Sequence, residues 1–110
     1  MSDPLAQVIA AEERGRSVLR VSGEVDMSNV AAVGEQLRAA AGDAPSVLVD
    51  LTELGFLDSQ GLRMIQRFAD ELAGHGKKLI IVAPASGVVG SLLALTGMDK
   101  NLDIRQSPPQ

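Results

Sequence analysis

The chain has 110 residues, 45% apolar and 22% charged, which suits a single hydrophobic core and excludes a disordered chain. Ten Lys and Arg against fourteen Asp and Glu give a net charge of −4, and no basic run interleaved with aromatics meets a phosphate backbone, so nucleic acid is not expected as a partner. The lack of cysteine and the single histidine, His75, exclude disulfides and thiolate chemistry and leave Cys/His metal sites without ligands, so a cytoplasmic protein without a cofactor is expected.

The N-terminal MSDPLAQ carries no basic segment followed by an apolar one, and no apolar stretch approaches the roughly 18 to 20 residues that span a bilayer. A soluble domain with no membrane partner is expected. QVIAA and SVLRVSGEV read as strands on either side of EERGR, where Gly15 supplies the positive φ of a tight turn. In SNVAAVGEQLRAAAGDAP the period changes. Val30, Val33, Leu37 and Ala40 or Ala41 recur at helical spacing, Ser28 is placed to cap the start, and Gly42 with Pro45 ends the helix.

SVLVDL is a compact apolar run of the kind found in parallel strands covered on both faces. After it, Leu62, Ile65, Phe68, Ala69 and Leu72 fall on one side of a second helix, with Gln60, Arg63, Arg67, Asp70 and Glu71 on the other. GHGKK breaks that helix, LIIVA repeats the buried-strand pattern, and Pro84 stops it. A third helix is expected in GVVGSLLALTG, with Val88 or Val89, Leu92, and Leu93 or Leu95 facing inward and Gly97 as its stop. NLDIR gives a last short strand and QSPPQ a frayed tail.

The order ββαβαβαβ predicts an α/β fold, a single domain over 1–110 with its core at 5–105 and a flexible tail at 106–110. Its sheet is expected to be mixed, mostly parallel and of about five strands, with helices packed against it.

Enzyme signatures are missing. The elbow Leu57-Asp58-Ser59-Gln60-Gly61 has a glycine on only one side of its serine. His75 lies at the far end of the same predicted helix, roughly 24 Å away at 1.5 Å per residue, so no triad forms. GVVGS lacks the lysine of a phosphate-binding loop, and GHGKK precedes a strand rather than a helix. The acid pairs Asp50 with Asp58 and Glu24 with Asp26 are without accompanying acid/base partners, and Asp50 and Glu24 read as strand-end charges. A small nucleotide-binding enzyme is therefore a rival with no motif behind it, and a non-enzyme is expected.

Ser59 carries the remaining chemistry. Asp58 precedes the helical pattern, so its carboxylate can accept from the free backbone amides of the first turn, leaving Ser59 exposed at the positive end of the helix dipole; Ser59 can also be the cap itself. As a phosphate acceptor, Ser59 would gain about −1.5 to −2 charges where the helix end favours an anion, and the effect would fall on a docked partner.

Asp50-Leu51-Thr52 followed by Phe56-Leu57-Asp58-Ser59-Gln60-Gly61-Leu62 resembles the signature of the STAS domain family, specifically its bacterial anti-sigma factor antagonists. Gly23-Glu24-Val25-Asp26 before the first helix, and Leu95-Thr96-Gly97-Met98 with Leu102-Asp103-Ile104 near the end, match in the same order. The resemblance implies a regulator that binds an anti-sigma factor serine kinase and so frees a sigma factor. It also implies that the kinase phosphorylates Ser59 to end the interaction and that a metal-dependent serine phosphatase restores it. Gln60 departs from the Ser, Thr or Ala usual there, which bears on kinase choice. An alternative STAS role is a non-phosphorylated subunit docked on a membrane transporter or its ATPase.

The expected partner surface is Asp26, Met27, Asp58, Ser59, Gln60, Gly61, Arg63 and Met64. The residues alone also allow Asp26 to be a helix-dipole charge, Gly61 to permit close approach of a partner or of a neighbouring loop, and Arg63 and Arg67 to be solvated charges or to steer an acidic partner. Met27 and Met64 are expected at exposed or flanking positions. A monomer is expected.

Overall fold

In the computed structural model, which describes residues 5–109, a hairpin of β1 (Ala6–Glu13) and β2 (Arg16–Val25) opens the chain. Arg14 and Gly15 both have positive φ, as a two-residue hairpin turn demands. The strands β3 (Ser46–Asp50) and β5 (Lys78–Val82) are the two compact apolar runs, and each lies parallel to its neighbours in the order β1-β2-β3-β5-β6. β6 is Ile104–Arg105, and only the β1–β2 pair is antiparallel. The sheet is mixed and mostly parallel, as expected.

One strand more than expected is present. β4 (Leu54–Leu57) pairs with the end of β2, and the pairing shifts register between Gly23 and Glu24 so that Gly55 has no partner across the ladder. That bulge puts Leu54 and Leu57 inside and Gly55 and Phe56 outside, an arrangement without the two-residue alternation by which strands are read. The sheet has six strands and the order is ββαββαβαβ.

Helices α1 (Val30–Ala41) and α2 (Ser59–Gly74) pack on one face of the sheet. Gly61, Met64, Ile65, Phe68, Ala69 and Leu72 repeat at intervals of three and four along α2 and are all buried. Val33, Leu37 and Ala41 of α1 and Leu19, Val21, Val47, Val49 and Ile81 of the sheet complete this core. Helix α3 (Val88–Thr96) buries Val89 and Leu93, leaving Val88 62% and Leu95 85% exposed, and Gly97 ends it in the left-handed conformation.

On the opposite face, Val18, Leu48 and Val82 form a small second cluster. The C-terminal residues, expected to fray, make two hydrogen bonds on leaving β6. The Gln106 side chain accepts from the Ala85 amide at 2.9 Å, and the Pro109 carbonyl accepts from Arg16 Nη2 at 3.2 Å. Since Arg105 pairs with Val82 and Arg16 stands two residues before Val18, this segment runs along the face that carries the cluster.

Two glycines make opposite predictions. A methyl at Gly90 would overlap the Pro84 carbonyl, a backbone atom that cannot swing away, whereas a methyl at Gly74 meets nothing. Gly90→Ala is expected to lower stability to urea by about 1–3 kcal/mol. Gly74→Ala is expected to raise it by about 0.5–1 kcal/mol, the helix-propensity difference.

Candidate functional site

The site is the meeting point of the loop after β2 and the start of α2. Asp58 leaves β4 in an extended conformation and caps α2: one carboxylate oxygen accepts from the Gly61 amide at 2.9 Å, and the other from the Met27 amide at 3.1 Å. One side chain thereby ends the helix and fastens a loop 31 residues away in sequence.

The loop is built as tightly. The Asp26 carboxylate accepts from the Ser28 amide at 2.8 Å and from the Ser28 hydroxyl. The Asn29 side chain accepts from the Asp26 amide at 2.9 Å and donates to the Glu24 carbonyl at 2.8 Å. Asn29, not Ser28, occupies the cap position of α1, and it makes no side-chain bond into the helix. The expected role of Ser28 is thus corrected: its hydroxyl is drawn to the adjacent carboxylate, a local Asx-type bond that competes with capping. Those bonds from Ser28 hold the Asp26 carboxyl below its usual pKa.

Ser59 is the first helical residue, exposed, and its hydroxyl bonds to no described residue. The two capping alternatives left by the sequence are therefore decided in favour of Asp58. Of the four amides a helix start leaves free, that of Asp58 donates to the Val25 carbonyl at 3.2 Å and that of Gly61 to the Asp58 side chain. The amides of Ser59 and Gln60 remain without a partner among the described residues.

The eight expected surface residues divide into two groups. Asp26, Met27, Asp58, Ser59, Gln60 and Arg63 are at least partly accessible, and Met27 is 78% exposed. Gly61 and Met64 are buried; Gly61 faces the chain's own strands, and Met64 keeps only a small exposed area between α1 and α2. Met64, at 8% exposure, was expected at an exposed or flanking position; α1 packing beside α2 widens the covered stripe and encloses it. Gly61 is needed inward, where a methyl would overlap the Leu57 side chain and stand 3.3 Å from Val25 Cγ1. Close approach there is to the chain's own strands.

The other acids have local roles. Asp50 accepts from the Thr52 amide at 2.9 Å and faces Arg20 at 3.9 Å, in keeping with a strand-end charge. Asn29 was missed, although an Asp and an Asn three residues apart before a helix are residue types that tie such a loop. Arg38 was missed as well; its Nε is paired with Glu71 at 2.8 Å across the two helices.

Comparison with known proteins identifies the family and the fold. A family model described as Mlab, STAS domain matches residues 9–106. The anti-sigma-F factor antagonist RsfB of Mycobacterium tuberculosis is 34% identical over 94 residues, covering 84% of this chain and 75% of that protein. The crystal structure of an anti-sigma factor antagonist from Mycobacterium paratuberculosis superposes with a TM-score of 0.83 at 28% identity, over 97% of this chain and 92% of that one. Bacillus SpoIIAA shares the fold at 18% identity. Its unphosphorylated form gives a TM-score of 0.69 over 94% of this chain and 89% of that one, and its phosphorylated form 0.66 over 92% and 93%.

Asp58→Ala is expected to cost about 1–2 kcal/mol of stability to urea, because both the cap and the loop tie are lost. A second expectation concerns acid. With its pKa depressed by folding, Asp26 stabilises the native state above its ordinary value of 3.8, and that contribution is lost as pH falls through the depressed one. Urea titrations from neutral to acid pH should show a smaller loss of stability in Asp26→Asn than in the native sequence.

Proposed function

The chain belongs to the STAS domain family, and from that premise we propose that it is an anti-sigma factor antagonist whose hold on its partner is switched by phosphorylation of Ser59. The observation that carries this reading is the unengaged Ser59 hydroxyl, exposed at the start of a helix whose capping is done by its neighbour. A serine that capped the helix would have its hydroxyl oxygen engaged by a first-turn amide and less free to be modified. This one has no structural bond to lose.

Unmodified, the surface formed by Met27, Ser59, Gln60 and Arg63 docks an anti-sigma factor serine kinase, and the sigma factor held by that kinase is released. In the kinase, the Ser59 oxygen attacks the γ-phosphorus of ATP, its proton passes to the enzyme's base, and ADP departs. The product carries about −1.5 to −2 charges beside the open amides of Ser59 and Gln60, which favour an anion at a helix start. The fold therefore tolerates the group. A partner seated on the same surface has to desolvate it, at a cost of several kcal/mol by the usual order of magnitude, and the complex dissociates. A metal-dependent serine phosphatase resets the switch.

Two comparisons support this reading: a relative above 30% identity is named an antagonist, and the fold matches SpoIIAA in both its unphosphorylated and its phosphorylated form.

Incubation with ATP and each anti-sigma kinase of the same genome is expected to add one phosphate, about 80 Da by intact mass, to the native protein and none to Ser59→Ala. Ser59→Ala should bind that kinase persistently and Ser59→Glu weakly. Equal affinity of all three forms, or a stable complex with a transporter component and no phosphate from any kinase, would replace this reading with that of a fixed subunit.

A further inference from the structure

Beside the Ser59 end of α2 lies a groove of about 240 Å3 between α1 and α2, and three of the ten basic residues of this acidic chain, Arg38, Arg63 and Arg67, line it. Its floor is Gly34 and Met64. We propose that this groove seats an acidic helix of the partner protein, with carboxylates one helical turn apart; the proposal rests on the antagonist reading and adds to it the chemistry of the partner's contact.

The guanidinium of Arg38 is already oriented. Its Nε is held by Glu71 at 2.8 Å, and its two terminal nitrogens lie over the floor, 3.5 and 3.9 Å from where a methyl on Gly34 would stand. That methyl would also be 3.3 Å from Met64 Cγ. Glycine within a helix is less stable than alanine, and here it keeps the floor low enough for a side chain from outside.

Arg63 and Arg67 are four residues apart on the exposed side of α2, and among the described residues neither has an ion-pair partner. Like charges at that spacing repel, and an anion between them removes the repulsion. Even with Glu35 on the rim and Glu71 on Arg38, the groove keeps a net positive charge.

The occupant follows from the spacing. Arg63 and Arg67 are set about 6 Å apart along the helix axis and are not converged on a point. Carboxylates at positions four apart on an opposing helix match that interval, and arginine forks receive them in bidentate pairs. Gln60 belongs both to this groove and to the Asp58-Ser59-Gln60-Gly61 start of α2, so a helix lying in the groove leads to Ser59.

The test is an NMR titration of isotopically labelled protein with an alanine-based helical peptide bearing glutamate at every fourth position. The same peptide with glutamine, and inorganic tripolyphosphate, serve as comparisons. The glutamate peptide is expected to shift the Gly34, Met64 and Arg67 amides and the Arg38 Nε–H signal, and to bind about tenfold more weakly to Arg63→Gln/Arg67→Gln or at high salt. The exposure of both arginines lets the double variant fold, which its circular dichroism checks.

Shifts confined to other regions, equal binding of the glutamine peptide, or a response only to tripolyphosphate would overturn the proposal. If a kinase phosphorylates Ser59 with the same KM in Arg67→Gln as in the native protein, and the glutamate peptide does not bind the native protein, the groove assignment fails while the antagonist reading stands. Binding of the peptide in the groove with no kinase acting on Ser59 gives the reverse.

Discussion

Both oxygens of the Asp58 carboxylate are in use, and the arrangement of the site depends on that. One bond closes the first turn of α2 and the other holds the Met27 amide of the loop after β2. Because Asp58 satisfies the helix end, the next residue is relieved of that duty, and Ser59 stands exposed with a hydroxyl that the fold does not use. The loop it fastens is internally tied through Asp26, Ser28 and Asn29, so Met27 is 78% exposed yet anchored through its backbone. An accessible hydroxyl beside a fixed loop forms a surface that a partner can meet at low ordering cost.

The rest of the molecule keeps that carboxylate in position. β4 enters the sheet beside β2 with a register shift, and the Asp58 amide continues the pairing by donating to the Val25 carbonyl. Gly61, one turn into the helix, lets α2 approach the Leu57 and Val25 side chains closely enough for its amide to reach the Asp58 side chain. Farther along, the apolar face of α2 is buried against the sheet and α1, which fixes the helix axis and with it the direction in which Ser59 and the arginines point. Strand, cap and helix face therefore act together, and none of these contacts uses the Ser59 hydroxyl.

Much of this was legible in the sequence, for identifiable reasons. SVLVD is an apolar run buried on both faces and KLIIV one buried at its Ile81–Val82 end, and the hairpin turn and the stop at Gly97 rest on glycines in conformations that other residues resist. β4 was not legible, because its bulge removes the alternation that marks a strand. The neighbours Asp58 and Ser59 are both capping residue types, and only the geometry separates the cap from the free hydroxyl. Met64 was misjudged because the periodicity of α2 reveals its sheet-facing side but not how far α1 extends the cover. Arg38 gains meaning only beside Glu71 and the α2 arginines, 25 to 33 residues away in sequence.

On the reading proposed above, phosphorylation changes the surface at the start of α2 without loosening its cap. Amide hydrogen exchange at Met27, Ser59, Gln60 and Gly61, compared between the unmodified and the Ser59-phosphorylated protein, tests it most directly. The Met27 and Gly61 amides, both bonded to Asp58, are expected to stay protected in the two forms, while the Ser59 and Gln60 amides exchange fast at first and slow once the phosphate accepts from them. Loss of protection at Met27 and Gly61 on phosphorylation would contradict it and make the switch a local unfolding of the helix end.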